Sequence, residues 1–397
     1  MSGLDGLLKE ANITGSLRAD YFQSSTGLDD RSGFAGTTLQ VKALPSLSSK
    51  LDGKFEARLM APDLLGRKGM RPDAQLLEGY LVWHLPGVDL RLGKQNVAWG
   101  RTDGINPTDN LTPRNYRVML PYDEDQRFGI WGLKATAALP NGMTLSLFAS
   151  PDFKPDKVPL PASGLAVIQR RPVHSLGNMV LGAKLDRSSE KTDWSLSYYH
   201  GPGLLPTAEV AGTTLVLGFD RTNVLGFDFA RNFGRFGFRS ELAYTFSDTA
   251  SLDPNAARGR FYWVAGFDRT FGENLNLNVQ GLVRWMPGRD DPQTVADPSA
   301  RGAAILNSIV RGQERSISSG LTFRVSDLWL HNTLRAELFG IINAPSGDFY
   351  LRPLVNYDIS DKVRLSAGAN IYAGPRTTQF GAQRPNSGLF VELRRGF

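Results

Sequence analysis

Charged side chains placed at every second position of strand-like segments are the residues of this chain that could do chemistry. Most of the basic ones are arginines, whose guanidinium stays charged and presents a planar fork that matches a carboxylate or a phosphate. A row of them could pass an anionic solute along a pore. The alternative is that they only neutralise acidic residues on neighbouring strands. The candidates are Arg18, Arg91, Lys134, Arg239, Glu241, Arg260, Arg284, Arg324, Arg335, Arg352, Arg364 and Arg394.

Other reactive groups are scarce. The chain has no cysteine, and its four histidines are His84, His174, His200 and His331. None lies in a nucleophile elbow or at a metal-ligand spacing such as H-E-x-x-H. We therefore expect no catalytic residue, no metal and no cofactor.

The charged candidates lie on segments in which apolar and polar residues alternate. In NLNLNVQGLVRW, residues 274–285, most leucines, the valines and the tryptophan share one face, while asparagine, glutamine and arginine share the other. A period of two over this length indicates β-strands with one apolar and one polar face.

The connections between these segments alternate between short and long. The short ones have hairpin-turn chemistry, and they are SKLDGK, LPGVD, LPNGM, RSSEKTD, NFGRF, FGENL, VSDLW and ISDKV. Short periplasmic turns and long extracellular loops are typical of an up-and-down transmembrane β-barrel, and the rhythm predicts about 18 antiparallel strands. We expect one all-β domain over residues 12–397, preceded by an N-terminal periplasmic segment, residues 1–11.

Composition favours this barrel over other classes. Mean hydropathy is −0.24, and no run approaches the roughly 18 apolar residues of a membrane helix. The 45 basic and 39 acidic residues give a net charge of +6 without a basic run, so we expect no nucleic-acid binding. A soluble propeller is the competing fold, but no blade-length repeat is present. Aromatic residues suited to a membrane-interface girdle are Trp83, Trp131, Trp194 and Tyr357.

The last segment, GLFVELRRGF, alternates up to Phe397, which resembles the assembly signal of Gram-negative outer-membrane proteins. We expect a location in the cell outer membrane, contacts with membrane lipids and lipopolysaccharide, and recognition by the barrel assembly machinery. A periplasmic protein is a further candidate partner. Because the N-terminus lacks a charged region followed by an apolar stretch, we expect that a signal peptide has been removed.

One connection, residues 96–126, is far longer than an ordinary loop, and such loops are usually functional or disordered. Its apolar residues favour order, and Thr112 before Pro113 suggests a helix N-cap. We expect it to fold into the barrel as a constriction, with its arginines facing its aspartates or the solute. The alternative is a cap outside the mouth. Its key residues are Trp99, Arg101, Asp103, Asp109, Arg114, Tyr116 and Arg117.

Two other long connections cover residues 152–176 and 287–310. We expect most of their length to be solvated. The segment PSARGAAILNSIV, residues 298–310, has helical propensity and could lie across the barrel mouth.

At LRLGKQNVAWG and in its expected strand number, the chain resembles the alginate exporter family and related outer-membrane exporters and porins. Members of that group place an R-x-G-(K/R)-Q strand ahead of a long segment at the pore, and Arg91, Gly93, Lys94 and Gln95 match this pattern. The segment GRTDGINPTDNLTPRNY differs from the alginate exporter's own sequence. The resemblance implies an arginine-lined conduit for an anionic solute, such as a polyuronate, without its own energy coupling.

Three hypotheses about function follow. The favoured one is a passive outer-membrane channel for an anionic polysaccharide or a small molecule that carries carboxylate or phosphate. The alternative is a non-conducting or gated barrel that serves as a scaffold in an envelope transport complex. An outer-membrane hydrolase is the third, disfavoured by the histidine positions.

Overall fold

Among the residues that the structure describes, twenty-two strands and one α-helix make up the fold. The computed structural model describes residues 12–28, 31–61, 72–117, 123–160, 165–172, 175–247, 249 and 251–397. The expected periplasmic segment, residues 1–11, lies outside the described residues.

The strands in chain order are β1 (Ile13–Leu28), β2 (Arg31–Ala43), β3 (Ser46–Ser48), β4 (Leu51–Ala61), β5 (Asp73–Leu85), β6 (Val88–Gln95), β7 (Ile130–Leu139), β8 (Met143–Ser150), β9 (Ala166–Gln169), β10 (Val180–Arg187), β11 (Thr192–Pro202), β12 (Thr207–Ala211), β13 (Thr214–Gly218), β14 (Arg221–Phe233), β15 (Phe236–Ser247), β16 (Arg260–Phe271), β17 (Leu275–Trp285), β18 (Ile317–Trp329), β19 (Leu334–Asn343), β20 (Phe349–Ser360), β21 (Val363–Ala373) and β22 (Gly388–Gly396). The helix is α1 (Pro298–Arg311), and short 3₁₀ turns occupy Asp123–Gln126, Pro140–Gly142, Leu176–Asn178, Pro292–Thr294 and Gly381–Asn386.

Eighteen of these strands form one closed antiparallel barrel. Each of these eighteen strands pairs with the barrel strands before and after it in the chain. The other four strands are β3, which lies in a turn, and β9, β12 and β13, which form a separate sheet. The first strand closes the ring, because Arg18 on β1 is opposite Thr38 on β2 and also opposite Arg394 on β22. The predicted all-β barrel of 18 strands is thus confirmed. Within the described residues, every helix is too short or too polar to span a membrane.

The alternation of the sequence corresponds to the two faces of the barrel wall. On β17, Leu275 and Trp285 point outward and are 40% and 45% exposed, whereas Asn278 and Gln280 point inward and are buried. The same parity holds on the neighbouring strands, where outward positions are mostly leucine, valine and aromatic residues. An apolar outer face around a polar interior is the arrangement of a barrel surrounded by lipid.

Two details of the turn pattern differ from the prediction. The expected turn VSDLW is wrong, because β18 continues through it to Trp329 and pairs with β19 as far as Leu334. The chain instead turns at Leu330–Thr333, where Leu330, His331 and Asn332 all have positive φ. At the other end of the barrel, β19 and β20 are joined by only residues 344–348, so the connections there are not uniformly long.

The two other long connections form a small structure at the loop end of the barrel. Helix α1 confirms the helical propensity of its segment, since Asp297 caps its N-terminus and Gly312 ends it with a φ of 59°. The side chain of Asn307 accepts a hydrogen bond from the N–H of Ala208 on β12 at 2.6 Å and donates one to its carbonyl at 3.1 Å. The helical part of residues 287–310 is therefore packed against β12, whereas residues 166–171 and most of residues 287–299 are exposed, as expected for solvated segments.

A strained glycine on β6 generates a prediction. Gly93 has a φ of 135°, and a Cβ there would lie 2.3 Å from the carbonyl oxygen of Gly79 and 2.6 Å from Cα of Tyr80. We expect Gly93→Ala to lower the free energy of unfolding by about 1–3 kcal/mol, measured by urea unfolding in detergent micelles with tryptophan fluorescence. Gly281→Ala is the control, because its Cβ would approach only one atom, at 4.0 Å. Equal stability of the two variants would contradict the argument.

Candidate functional site

The connection between β6 and β7, residues 96–129, contacts the inward face of the barrel wall, and we call it the inserted loop. Its side chains Val97, Trp99 and Leu111 are at most 7% exposed. They form one apolar cluster with residues of β7, β8, β10, β11, β14 and β15. Burial of this apolar surface holds the loop against the wall. Residues 118–122 of the loop lie outside the described residues.

Glu241 on β15 is the main polar anchor of the inserted loop. Its carboxylate is fully buried and accepts hydrogen bonds from the N–H groups of Arg101, Thr102 and Thr108. The hydroxyls of Thr102 and Thr108 donate to it at 2.7 and 3.0 Å, and the amide of Asn106 donates at 3.1 Å. A buried carboxylate is tolerated only when its oxygens are hydrogen-bonded, so the loop and this strand stabilise each other.

The tip of the inserted loop reaches the wall nearly opposite its start. Asp103 accepts hydrogen bonds from Arg239 on β15 at 2.8 Å and from Asn278 on β17 at 2.6 Å. A Cβ on Gly104 would lie 3.1 Å from the ring of Phe339 on β19. Strand β19 is nearly opposite β6 in the closed ring, so the loop crosses the lumen.

Arg101 adds an ionic contact to the same wall. Its Nε donates to Asp228 at 2.5 Å and its Nη2 to Asp186 at 2.9 Å. Lys184 lies 3.0 Å from Asp186 and 3.7 Å from Asp228. Arg101 is therefore neutralised by wall carboxylates, not by the loop aspartates that the sequence suggested.

Asp109 organises the base of the inserted loop. It accepts hydrogen bonds from the N–H of Trp99 and from the guanidinium groups of Arg114 and Arg127. Two cations on one buried carboxylate leave this part of the loop with a positive surplus. Arg117, by contrast, is exposed and donates to the carbonyl of Val158 at 3.0 Å.

The second half of the inserted loop is fixed to a different part of the wall. Asp125 binds Arg18 on β1 at 2.6 Å, Arg58 on β4 at 3.1 Å and Arg394 on β22 at 3.5 Å. Strands β22 and β1 are adjacent in the ring, and β2 lies between β1 and β4. The loop is thus attached to two separate regions of the wall, and it divides the lumen.

A buried carboxyl group in the connection after β8 forms a hydrogen bond with the inserted loop. Asp156, in the connection after β8, is 8% exposed and accepts a hydrogen bond from the N–H of Arg114 at 2.7 Å. Burial raises the pKa of Asp156 to about 7, although the hydrogen bond from Arg114 favours its charged form. This carboxyl group is therefore half-protonated near neutral pH.

The larger space beside the inserted loop is a cavity of about 1270 Å³, open toward the loop end of the barrel. All of its basic lining residues among those described are arginines, namely Arg114, Arg117, Arg258, Arg260, Arg284, Arg311 and Arg352. Its acidic lining residues are Asp109, Asp156 and Asp220. The described wall therefore presents seven guanidinium groups against three carboxyl groups.

Several of these arginines are already compensated. Arg311 lies 3.0 Å from Asp253 and 3.5 Å from Asp220, and Arg258 pairs with Asp290 at 2.5 Å. Within the described chain, Arg260 and Arg284 have no carboxylate within 4 Å.

An aromatic ring contacts Arg284, and two further rings line the same cavity. The hydroxyl of Tyr262 accepts a hydrogen bond from Arg284 at 3.0 Å, and the guanidinium lies over the same ring. Tyr350 and Tyr372 stack with a centroid distance of 4.8 Å. Because cation–π contacts orient a guanidinium without neutralising it, Arg284 keeps its charge available to the cavity.

A smaller cavity of about 570 Å³ lies on another side of the inserted loop, and Asp125 and Asp156 contribute to its wall. Its basic lining residues are Arg58, Lys94, Arg117, Arg127, Lys154, Lys157 and Arg171, and its acidic ones are Asp73, Asp125 and Asp156. The described surface on both sides of the loop is therefore more basic than acidic.

The twelve candidate wall residues all lie at inward positions of their strands, but they do not form one ring. Arg260, Arg284 and Arg352 line the larger cavity. Arg239 and Glu241 hold the tip of the loop, while Arg18 and Arg394 hold Asp125.

The remaining candidates lie elsewhere on the wall. Arg91 and Lys134 are direct neighbours on β6 and β7. Arg364 pairs with Asp358 at 2.6 Å near the turn end. Arg324 lies over Phe339, and Arg335 is close to the turn at the start of β19.

Within the loop, Thr112 does not cap a helix. Its hydroxyl instead donates to Asn96 at 2.7 Å and to the carbonyl of Val97 at 3.0 Å, which closes the neck of the loop. Tyr116 is 44% exposed, and its N–H donates to Lys157 at 2.9 Å.

Several important residues escaped the sequence analysis. Arg58 was not selected as a site residue, and Asp125, Arg127 and Asp156 were not recognised as partners of the loop. The segment DEDQR, residues 123–127, carries a dense run of charge, and this was the available signal. Nothing local indicated that Asp125 would meet arginines from three distant strands.

Two of the three described histidines, His84 and His200, make local contacts. His84 lies between Asp89 and Asp52 at 2.9 and 3.0 Å, at the turn end of the barrel, and His200 contacts Asn223 at 2.8 Å. His174 lies outside the described residues. Among the described residues, no group of three metal-ligating side chains could hold an ion.

The contacts of Glu241 predict the effect of a conservative change. In Glu241→Gln one side-chain acceptor becomes a donor that faces N–H or O–H donors of the loop. We expect the loop to open more easily by about 1.5–3 kcal/mol, which makes tryptic cleavage at Arg101, Arg114 or Arg117 roughly tenfold faster or more. The measurement is limited proteolysis of the folded protein in micelles. Glu273→Gln, in the exposed turn after β16, is the control, and equal protection of both variants would contradict this role.

The raised pKa of Asp156 predicts a pH dependence. An unfolded aspartate titrates near 3.8, so the folded loop binds a proton that the open loop releases, and its stability falls as pH rises from about 4 through 7. We expect hydrogen exchange in residues 113–117 and 153–158, corrected for intrinsic rates, to be slower at pH 5 than at pH 8. Asp156→Asn should remove the dependence and Asp361→Asn, in an exposed turn, should keep it. Protection in the unmodified protein that is constant or greater at pH 8 would refute the assignment.

Among the comparisons with known proteins, the one with solved structures supports the fold. No family model and no curated protein matches the chain, so the alginate exporter resemblance remains an expectation. Solved structures from Pseudomonas aeruginosa do match. OccK11 (OpdR) has a TM-score of 0.55 at 12% identity, with 97% of this chain and 95% of that chain covered. OccK5 (OpdH) has a TM-score of 0.55 at 10% identity, with 97% and 96% covered. OccK10 (OpdN) has a TM-score of 0.55 at 12% identity, with 97% and 98% covered. The chain is similar to these proteins over nearly its whole length, and it has a porin-type barrel fold.

Proposed function

We propose that this protein is a passive outer-membrane channel whose inserted loop constricts the lumen and whose arginines favour anionic solutes. The observation that carries the proposal is the wall of the larger cavity, with seven described guanidinium groups and three described carboxyl groups. The porin-type fold and the apolar outer face support placement in the outer membrane. Lipids and lipopolysaccharide would then surround the barrel, and the alternating last strand would present Phe397 to the barrel assembly machinery.

The chemistry of the cavity favours solutes that carry a carboxylate or a phosphate. Arg260 and Arg284 lack a close carboxylate among the described residues, so an entering anion would not have to displace a carboxylate from either of them. Guanidinium groups bind such anions through paired N–H donors, whereas a cation would face a net positive wall. Entry is therefore favoured without tight binding, as passive conduction requires.

The inserted loop would determine where in the lumen this preference for anions acts. It crosses from β6 to the wall near β19, and Asp103 and Asp109 are already occupied by arginines. Their negative charge is thereby withdrawn from the pathway. The remaining opening is bordered by uncompensated arginines, and a wide 18-stranded lumen would otherwise discriminate weakly.

A non-conducting scaffold is the second candidate, and the double attachment of the inserted loop favours it. Glu241 and Asp125 fix the loop to two regions of the wall, so the loop could act as a plug. In this case a periplasmic partner would be needed to explain the protein's role. A bilayer measurement separates the two, because a plugged barrel gives no steps of conductance.

Charge reversal tests the channel proposal. We expect the protein to conduct in planar bilayers and to prefer chloride over potassium under a salt gradient. The variant Arg260→Glu with Arg284→Glu should lower the chloride-to-potassium permeability ratio several-fold. Arg235→Glu, in the exposed turn before β15, is the control and should leave the ratio unchanged.

Two results would count against the proposal. A pore that prefers potassium before any substitution would refute the anion preference. Absence of conductance from a folded, inserted barrel would refute the channel and favour the scaffold.

A further inference from the structure

Two arginines lie on the outward, apolar face of the barrel, away from the lumen. On β14 the outward residues Leu225, Phe227 and Phe233 are 40–51% exposed, and Arg231 has the same parity. On β16 the outward residues include Trp263 and Phe267, and Arg269 has their parity. Each arginine comes two residues before the end of its strand, at the turn end of the barrel.

Each guanidinium group lies over at least one phenylalanine ring. Arg231 lies 5.1 Å from the ring centre of Phe233, and Arg269 lies 4.6 Å from that of Phe236 and 4.7 Å from that of Phe271. These rings hold the side chains along the barrel surface.

The two arginines flank a single strand. Arg231 is opposite Phe238 on β15, and Phe238 is opposite Phe267 on β16. Phe238 contacts Phe267 with a centroid distance of 4.9 Å. Arg231, Arg269 and these rings therefore form one patch, the β14–β16 patch, across three adjacent strands.

The charges of this patch are not neutralised by the protein. Among the described residues, no carboxylate lies within 4 Å of Arg231 or Arg269, and Nε of Arg269 is buried without a hydrogen-bond partner. An unpaired arginine on a lipid-facing surface is strongly destabilising at the bilayer midplane but costs little at the interface, where phosphate groups are available. The positions near the strand ends correspond to that interface.

We propose that the β14–β16 patch binds the phosphate of an anionic glycerophospholipid in the leaflet at the turn end of the barrel. The two guanidinium groups supply paired donors for the phosphate. The surrounding phenylalanines offer apolar surface to the first segments of the acyl chains. The inference depends on the outer-membrane placement proposed above, but not on conduction or anion preference, because the patch is on the opposite face from the lumen.

Native mass spectrometry of the full-length folded protein tests the proposal. The protein in maltoside micelles is titrated with dioleoylphosphatidylglycerol, and retained lipid is counted. We expect Arg231→Gln with Arg269→Gln to weaken retention about tenfold. The matched control is Lys50→Gln with Lys191→Gln, which removes the same charge from two exposed turns outside the β14–β16 patch and should retain lipid as the unmodified protein does.

Further arms identify the ligand. Equal retention by both double variants would overturn the site. Binding of soluble glycerol 3-phosphate as tightly as the lipid would overturn the assignment to a lipid, since the acyl chains would contribute nothing. Displacement of the lipid by an acidic peptide at equal concentration would indicate a protein partner and also overturn it.

Failure of this proposal is distinguishable from failure of the proposed function. The patch variant should keep unmodified conductance and permeability ratio in bilayers. If the unmodified protein fails to insert into phosphatidylglycerol-containing vesicles, the membrane placement fails. If it inserts without conducting, only the channel proposal fails and the lipid measurement still stands.

Discussion

The buried carboxylate of Glu241 is the constraint on which the interior of this barrel depends. It has no solvent exposure, so its charge must be stabilised by the protein. The donors come from one short stretch, residues 101–108, of a loop that starts on the other side of the ring. A carboxylate that binds backbone N–H groups fixes the path of the chain, not only one side chain. The conformation of the inserted loop therefore depends on the Glu241 carboxylate of β15.

The division of the lumen follows from that coupling. Once residues 101–108 are fixed at β15, Asp103 meets Arg239, and the other half of the loop contacts the wall from β22 through β1 and β2 to β4 by way of Asp125. Each aspartate of the described loop that contacts the wall uses an arginine that would otherwise face the lumen. Arg260 and Arg284 lie on β16 and β17, away from these contacts, and their charges stay available. The anion preference that we propose therefore depends on which wall arginines the loop aspartates neutralise.

Much of the fold could be predicted because strand patterning is a local property. A period of two in segments such as residues 274–285 indicates which side chains face inward without any knowledge of their partners. Helical propensity, also a local property, indicated α1 over residues 298–310, and the structure adds the caps Asp297 and Gly312 at its two ends. The same local reasoning failed at Thr112, since its hydroxyl is used by Asn96 and Val97 instead of a helix.

The site was less predictable because its contacts join distant parts of the chain. Asp125 and Arg18 are 107 residues apart, and Arg394 is 269 residues from Asp125. Strand parity placed the arginines inside the barrel, but it could not indicate which of them a loop carboxylate would neutralise. That depends on barrel closure and on the path of the inserted loop, which no short segment encodes.

Two residues of the pattern R-x-G-(K/R)-Q have structural roles in this chain that do not involve a solute. Gly93 allows the backbones of β5 and β6 to approach, because a Cβ would collide with Gly79 and Tyr80. Gln95 is fully buried and donates to the carbonyl of Gly132 at 2.8 Å. Both residues shape the point where β6 ends and the inserted loop begins.

The residues after this point determine which charges remain exposed in the lumen. Asp103 and Asp109 determine which arginines are neutralised, and neither belongs to the pattern. The pattern at residues 91–95 is accordingly explained in this chain by the neck of the inserted loop, and it carries no information about a solute.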